Sequence, residues 1–107
     1  MDIRLNGQPE GPLKGIRVID ITAMITGPLC AQMLGDLGAD VIKIERPDVG
    51  DDTRAWGPPW AATGASTYYV GLNRGKRSIA LDLTDEHDLE LARKLSLNAD
   101  IVVENFR

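Results

Sequence analysis

Residues 15–47 read GIRVIDITAMITGPLCAQMLGDLGADVIKIERP, from Gly15 to Pro47. Ile16-Arg17-Val18-Ile19-Asp20-Ile21 is rich in β-branched residues and follows a glycine, which marks a strand. Thr22 to Thr26 turn the chain. Gly27-Pro28 then opens a helix, where a proline loses nothing because the first N–H groups have no partner. Cys30, Met33, Leu34 and Leu37 fall at i, i+3, i+4 and i+7, an apolar stripe expected to face the next layer. On that stripe Cys30 is expected to be packed rather than reactive. Gly38 stands where a left-handed residue ends a helix. Val41-Ile42-Lys43-Ile44-Glu45 is a second strand, which Pro47 stops. Strand, helix and strand on short connections make a βαβ unit with a right-handed crossover.

On the N-terminal side, residues 1–14 are polar, carry Gly7, Pro9, Gly11 and Pro12, and read as a lead-in arm. On the C-terminal side, residues 46–66 hold Pro47, Gly50, Gly57, Pro58, Pro59 and Gly64 without a clear period. A stretch of that length is usually functional or a linker. Tyr68 to Leu72 is a short helix or strand, Asn73 to Arg77 a basic turn, and Ser78 to Leu83 a third strand. Thr84 or Asp85 caps a further helix, with Glu86 at its positive end. Leu89, Ala92 and Leu95 line its buried side, and Asn98 stops it. Asp100 to Glu104 is the last strand, before Asn105-Phe106-Arg107. The pattern is an α/β sheet with helices packed on it, spanning residues 15–107.

The chain has 107 residues, room for one domain at most. Lys and Arg total 12 against 16 Asp and Glu, a net charge of −4. That balance argues against a nucleic-acid binder, which must neutralise phosphates. At 43% apolar and 26% charged the composition is globular. One cysteine, Cys30, and one histidine, His87, suggest no internal disulfide, no metal site and no Cys–His pair. His87 reads as solvated. No apolar run approaches the ~20 residues that span a bilayer, and no basic-then-apolar leader opens the chain. The expected location is cytoplasmic, with neither membrane nor nucleic acid as partner.

Open α/β sheets bind ligands outside the carboxyl ends of their strands. The segments there are Thr22–Gly27, Glu45-Arg46-Pro47, Asp82–Thr84 and Asn105-Phe106-Arg107. They suit a phosphorylated, adenine-bearing ligand: Arg46 or Arg107 could fork onto phosphate, Phe106 could stack, and the helix start at Gly27 could face an anion. The plainer reading of each arginine is solvated surface. Glu45 stands where a ribose-binding acid would, but the G-x-G-x-x-G fingerprint is missing from the Thr22–Pro28 turn, which disfavours NAD. Arg74, Lys76 and Arg77 read as an anion-attracting cluster or, more simply, a solvated turn. Asp51-Asp52 read as an acid–base pair or, more simply, solvated loop carboxylates. Trp56, Trp60, Tyr68 and Tyr69 form a ligand wall, a subunit contact or pins for a long loop. No catalytic site is assembled by these residues.

Gly11-Pro12-Leu13-Lys14-Gly15-Ile16-Arg17-Val18-Ile19-Asp20, then Gly27-Pro28, resembles the opening of the class III (family III) CoA-transferases. The likeness continues through Leu37-Gly38-Ala39-Asp40-Val41-Ile42-Lys43-Ile44-Glu45-Arg46-Pro47 and Gly50-Asp51. It runs on through Asn73-Arg74-Gly75-Lys76-Arg77-Ser78-Ile79-Ala80-Leu81-Asp82-Leu83 to Asn98-Ala99-Asp100-Ile101-Val102-Val103-Glu104-Asn105-Phe106-Arg107. The family includes formyl-CoA and carnitine CoA-transferases and α-methylacyl-CoA racemase. The resemblance implies a Rossmann-like parallel sheet with flanking helices, the N-terminal part of a larger domain. It implies CoA or acyl-CoA as substrate rather than a tightly bound cofactor, a carboxylic acid as co-substrate, and an interlocked homodimer of the full-length parent. It also implies that Arg46 lies near the CoA nucleotide and that Ile25 and Thr26 border the thioester region. Leu81, Asp82, Leu83 and Thr84 match the segment near the adenine, and Asn105, Phe106 and Arg107 the closing contact segment. Relatives often carry a lysine near the end of the third segment, where this chain has Thr84. The family's nucleophilic aspartate lies well downstream and matches none of Asp20, Asp36, Asp40, Asp51 or Asp52. The expectation is therefore an N-terminal, CoA-binding fragment that is inactive alone. A stand-alone CoA- or nucleotide-binding module and a racemase fragment are the alternatives.

Overall fold

The computed structural model describes residues 10–107. Its elements are β1 (Arg17–Ile21), α1 (Thr26–Asp36), β2 (Asp40–Glu45), a 3-10 turn (Asp52–Ala55), α2 (Thr67–Asn73), β3 (Arg77–Ala80), α3 (Glu86–Leu97) and β4 (Ile101–Glu104). All four strands are parallel, in the order β3-β2-β1-β4. The order reverses between β1 and β4, and α/β sheets leave a crevice at such a switch point.

The strands alternate between two covered faces. Ile19, Ile42, Ile44 and Leu81 form one core with Ala92 of α3, joined by Ile21, Leu83 and Leu95. Val18 and Val41 form the other with Ala31 of α1 and Ala39, joined by Leu13, Ile16, Leu34 and Val103. In register, Val18 pairs with Val41, Ile19 with Ile42, and Asp20 with Lys43. Along the α1 face, β1 therefore runs Val18, Asp20, Thr22 and β2 runs Val41, Lys43, Glu45. That face turns from apolar to charged as it nears the carboxyl ends, and all six residues are buried.

Helix boundaries follow local chemistry. The side chain of Asp85 caps α3 by accepting from the Asp88 N–H, and Asn98 ends it. Gly38, with φ +110°, ends α1, and a Cβ there would stand 2.8 Å from the Glu10 carbonyl carbon. Residues 10–14 turn against that end, where the Leu13 N–H donates to the Leu37 carbonyl at 2.9 Å. Part of the expected lead-in arm, residues 1–9, lies outside the described residues.

Three expectations need correction. The buried face of α1 is Pro28, Ala31 and Gln32, whereas Cys30, Met33 and Leu37 are exposed. α1 lies close to the end of β1, where a Cβ on Gly27 would meet the Thr22 Cβ at 2.5 Å, and of the expected stripe Leu34 alone packs against the core. Second, residues 46–66 are not structureless; they hold the 3-10 turn and a bridge between Trp60 and Ser66. Third, β3 ends at Ala80 rather than Leu83, because Asp82 accepts from the Thr84 N–H and closes a turn. Among the described residues no helix is long and apolar enough to cross a membrane.

Candidate functional site

The carboxyl ends of the strands open onto a cleft of about 520 Å³. One wall is the exit from β1 with the segment after β4: Ile21, Thr22, Ala23, Asn105 and Phe106. The other is the loop after β2, Arg46 to Asp51, with the segment after β3, Leu81 to Thr84.

Behind the cleft lies a layer of buried charge. Lys43 is fully buried and donates to the Thr22 carbonyl at 3.0 Å. Its Nζ also lies 3.0 Å from Asp51 Oδ2 and 3.8 Å from Asp20 Oδ2. Lys76 donates at 2.8 Å to Asp20, to the Pro28 carbonyl and to Asn73. Two carboxylates thus balance two ammoniums, as buried charges require. Asp51 also accepts from Thr53 N–H and hydroxyl at 2.9 and 2.8 Å and from Met24 N–H at 3.3 Å. Burial pushes the Asp51 carboxyl up, but the Thr53 hydrogen bonds and Lys43 outweigh it and hold it below the usual range. Burial pushes the Lys76 ammonium below its ordinary value, against the pull of Asp20.

Glu45 anchors the other wall. Its carboxylate accepts from Asp51 N–H at 2.9 Å, Arg54 Nε at 2.8 Å, Arg54 Nη2 at 2.7 Å, Tyr69 hydroxyl at 3.0 Å and the Ser78 hydroxyl. Burial raises its pKa, but the Arg54 fork, Ser78, the Asp51 N–H and Tyr69 bring it down to about 2. Beside this charge, and half buried, the Tyr69 phenol is pushed well above its ordinary value. The Arg54 guanidinium lies 3.8 Å over the Tyr69 ring. These contacts tie the 3-10 turn and α2 to the end of β2. Gly50 is needed here: its φ is +64°, and a Cβ would stand 2.8 Å from both Glu45 Oε1 and Arg54 Cδ.

Of the residues singled out in the sequence, Arg46, Leu81, Asp82, Leu83, Thr84, Asn105 and Phe106 line the cleft together. Ile25 and Thr26 stand outside that lining, at the start of α1, and Arg107 is exposed beyond β4. Arg46 is exposed and holds Asp52 and the Gly50 carbonyl. Asn105 spends its amide on Ala23, accepting from its N–H at 3.3 Å and donating to its carbonyl at 2.9 Å. Asp82 accepts from Thr84 N–H at 2.9 Å and hydroxyl at 2.6 Å, which lowers its pKa. The solvated-turn reading of Arg74, Lys76 and Arg77 fails at Lys76, whose side chain is buried. Arg74 and Arg77 are exposed and pair with Asp36 and Asp40. The solvated reading of Asp51 fails likewise, while that of Asp52 holds. His87 is exposed. Trp56 stands edge-on to Tyr68 with centroids 5.6 Å apart.

The family model for CoA-transferase family III matches residues 13–107. The chain belongs to CoA-transferase family III. It is 50% identical over 101 residues to the succinate–glutarate CoA-transferase of Agrobacterium fabrum, covering 90% of this chain and 25% of that protein. It is 47% identical over 95 residues to the succinyl-CoA:glutarate CoA-transferase of Homo sapiens, covering 89% and 22%. The crystal structure of a CaiB/BaiF family protein from Brucella suis superposes with a TM-score of 0.86 at 48% identity, over 90% of this chain and 26% of that one. The chain thus spans about a quarter of the length of the family III relatives it matches.

Proposed function

We propose that this chain forms the coenzyme-holding part of an acyl-CoA:carboxylate CoA-transferase, whose whole protein passes CoA between short dicarboxylic acids. The observation that carries this reading is the cleft, in which the ends of all four strands bring Thr22, Arg46, Leu81 to Thr84, Asn105 and Phe106 to one opening. Family membership supports it, and relatives named for succinate and glutarate support the dicarboxylate. In this reading the exposed Arg46 guanidinium exchanges Asp52 for a phosphate, and Phe106 offers a face to the adenine. The Thr84 hydroxyl is committed to Asp82, and Arg107, Ile25 and Thr26 meet the ligand outside the cleft itself.

In the family the reacting carboxylate is an aspartate well downstream that matches none of Asp20, Asp36, Asp40, Asp51 or Asp52, and this reading keeps that assignment. Glu45, Asp51 and Asp82 line the cleft already committed to hydrogen bonds, and saturated carboxylates of low pKa are poor nucleophiles. Asp48 also lines the cleft, exposed in the loop after β2. The interlocked homodimer of the parent is carried over from the family. A cytoplasmic location is carried over from the sequence reading.

Calorimetric titration of the chain with CoA tests the reading. Saturable binding is expected, and Arg46→Ala should weaken it by ~1.5–3 kcal/mol through loss of a charged phosphate contact. A wild-type chain that takes up no CoA overturns the reading, and unchanged affinity in the variant returns Arg46 to the surface.

A further inference from the structure

We propose that Lys43 is a positioning residue that sets the spacing between the two walls of the cleft. The proposal rests on the coenzyme reading above and adds a role for a side chain that touches no ligand. One ammonium, fully buried, holds the Thr22 carbonyl at the exit of β1 and the Asp51 carboxylate at the end of the β2 loop, each at 3.0 Å. These two residues belong to opposite walls. Asp51 adds a second link across the gap by accepting from the Met24 N–H, in the same β1–α1 turn. That turn carries a non-glycine residue at φ +78°, Met24, a conformation that persists only where its surroundings fix it.

A lysine is suited to this task. Its ammonium directs three donors to different acceptors, and burial keeps water from competing for them. Removing it leaves the strands paired through their backbones, since Asp20 and Lys43 are in register within the sheet. What is lost is the fixed distance between turn and loop. A long ligand that meets both walls depends on that distance, while a short one resting on a single wall does not.

Calorimetry with CoA and with inorganic pyrophosphate, whose one anchor in this reading is Arg46, on the wild-type chain and on Lys43→Met, separates positioning from general weakening. Lys43→Met alone leaves Asp51 without its cation and can unfold a small domain. The double variant Lys43→Met/Asp51→Asn is therefore measured beside it, because it removes both charges and leaves the Asp20–Lys76 pair balanced. The expected result is a loss of about tenfold or more in CoA affinity with less than about a twofold change for pyrophosphate. Equal losses for both ligands, or none for either, overturn the positioning role. A wild-type chain that binds neither ligand overturns the coenzyme reading itself, and the positioning role with it.

Discussion

Glu45 is the residue through which acid should loosen this fold. Its carboxylate is 6% exposed and collects five hydrogen bonds from Asp51, Arg54, Tyr69 and Ser78. Folding lowers its pKa from 4.5 to about 2. A group depressed in the folded state stabilises the fold above its unfolded pKa and loses that contribution as pH falls towards the folded one. The full contribution is on the order of 3 kcal/mol, and about 2 kcal/mol of it disappears between about pH 5 and about pH 3. Urea unfolding at those two pH values measures the loss. Glu45→Gln cannot titrate, and its amide meets the Arg54 fork with an N–H where an oxygen is needed. It should therefore be less stable at the higher pH by about 3 kcal/mol and should lose about 2 kcal/mol less than wild type on acidification. Asp51 acidifies in both proteins, so the difference isolates Glu45. Equal losses in the two proteins would refute the assignment of the low pKa to this hydrogen-bond set.

Asp20→Ala should cost about 3–5 kcal/mol in the same unfolding assay, because it strands the ammonium of Lys76, whereas Arg74→Ala and Arg77→Ala should each cost under about 1 kcal/mol. A surface-sized effect of Asp20→Ala would contradict the charge layer. Gly27→Ala should destabilise by about 1–3 kcal/mol, since its Cβ would press on Thr22 Cβ, and a neutral result would mean that α1 stands off the sheet.

The βαβ unit was legible because its signals are local. β-Branched runs, Gly38 after α1, the Asp85 cap and the Asn98 stop each act within a few residues. The buried charges were not legible in the same way. Lys76 and Asp51 lie in segments whose composition reads as loop, and only the pairing of β1 with β2 brings Asp20, Lys43 and Asp51 together. One signal was present: in strands covered on both faces, an aspartate and a lysine interrupt otherwise apolar runs, and unpaired they would be costly. The apolar stripe of α1 misled because periodicity shows that a face is apolar but not which surface covers it. Here Pro28, Ala31, Gln32 and Leu34 face inward, and Leu29, Met33 and Leu37 face out. For the cleft, the strand-end rule found both walls but not what holds them. Asn105, read as a ligand contact, spends its amide on Ala23.

The coenzyme reading puts CoA in the cleft at the carboxyl ends of the four strands. Amide resonances of the isotopically labelled chain, followed during titration with CoA, test it most directly. Shifts should gather at Ala23, Arg46 to Asp51, Asp82 to Thr84 and Asn105-Phe106, with the far ends of β1 and β2 unmoved. Shifts centred on the amino ends of the strands, or saturation with no shift in the cleft, would contradict the account.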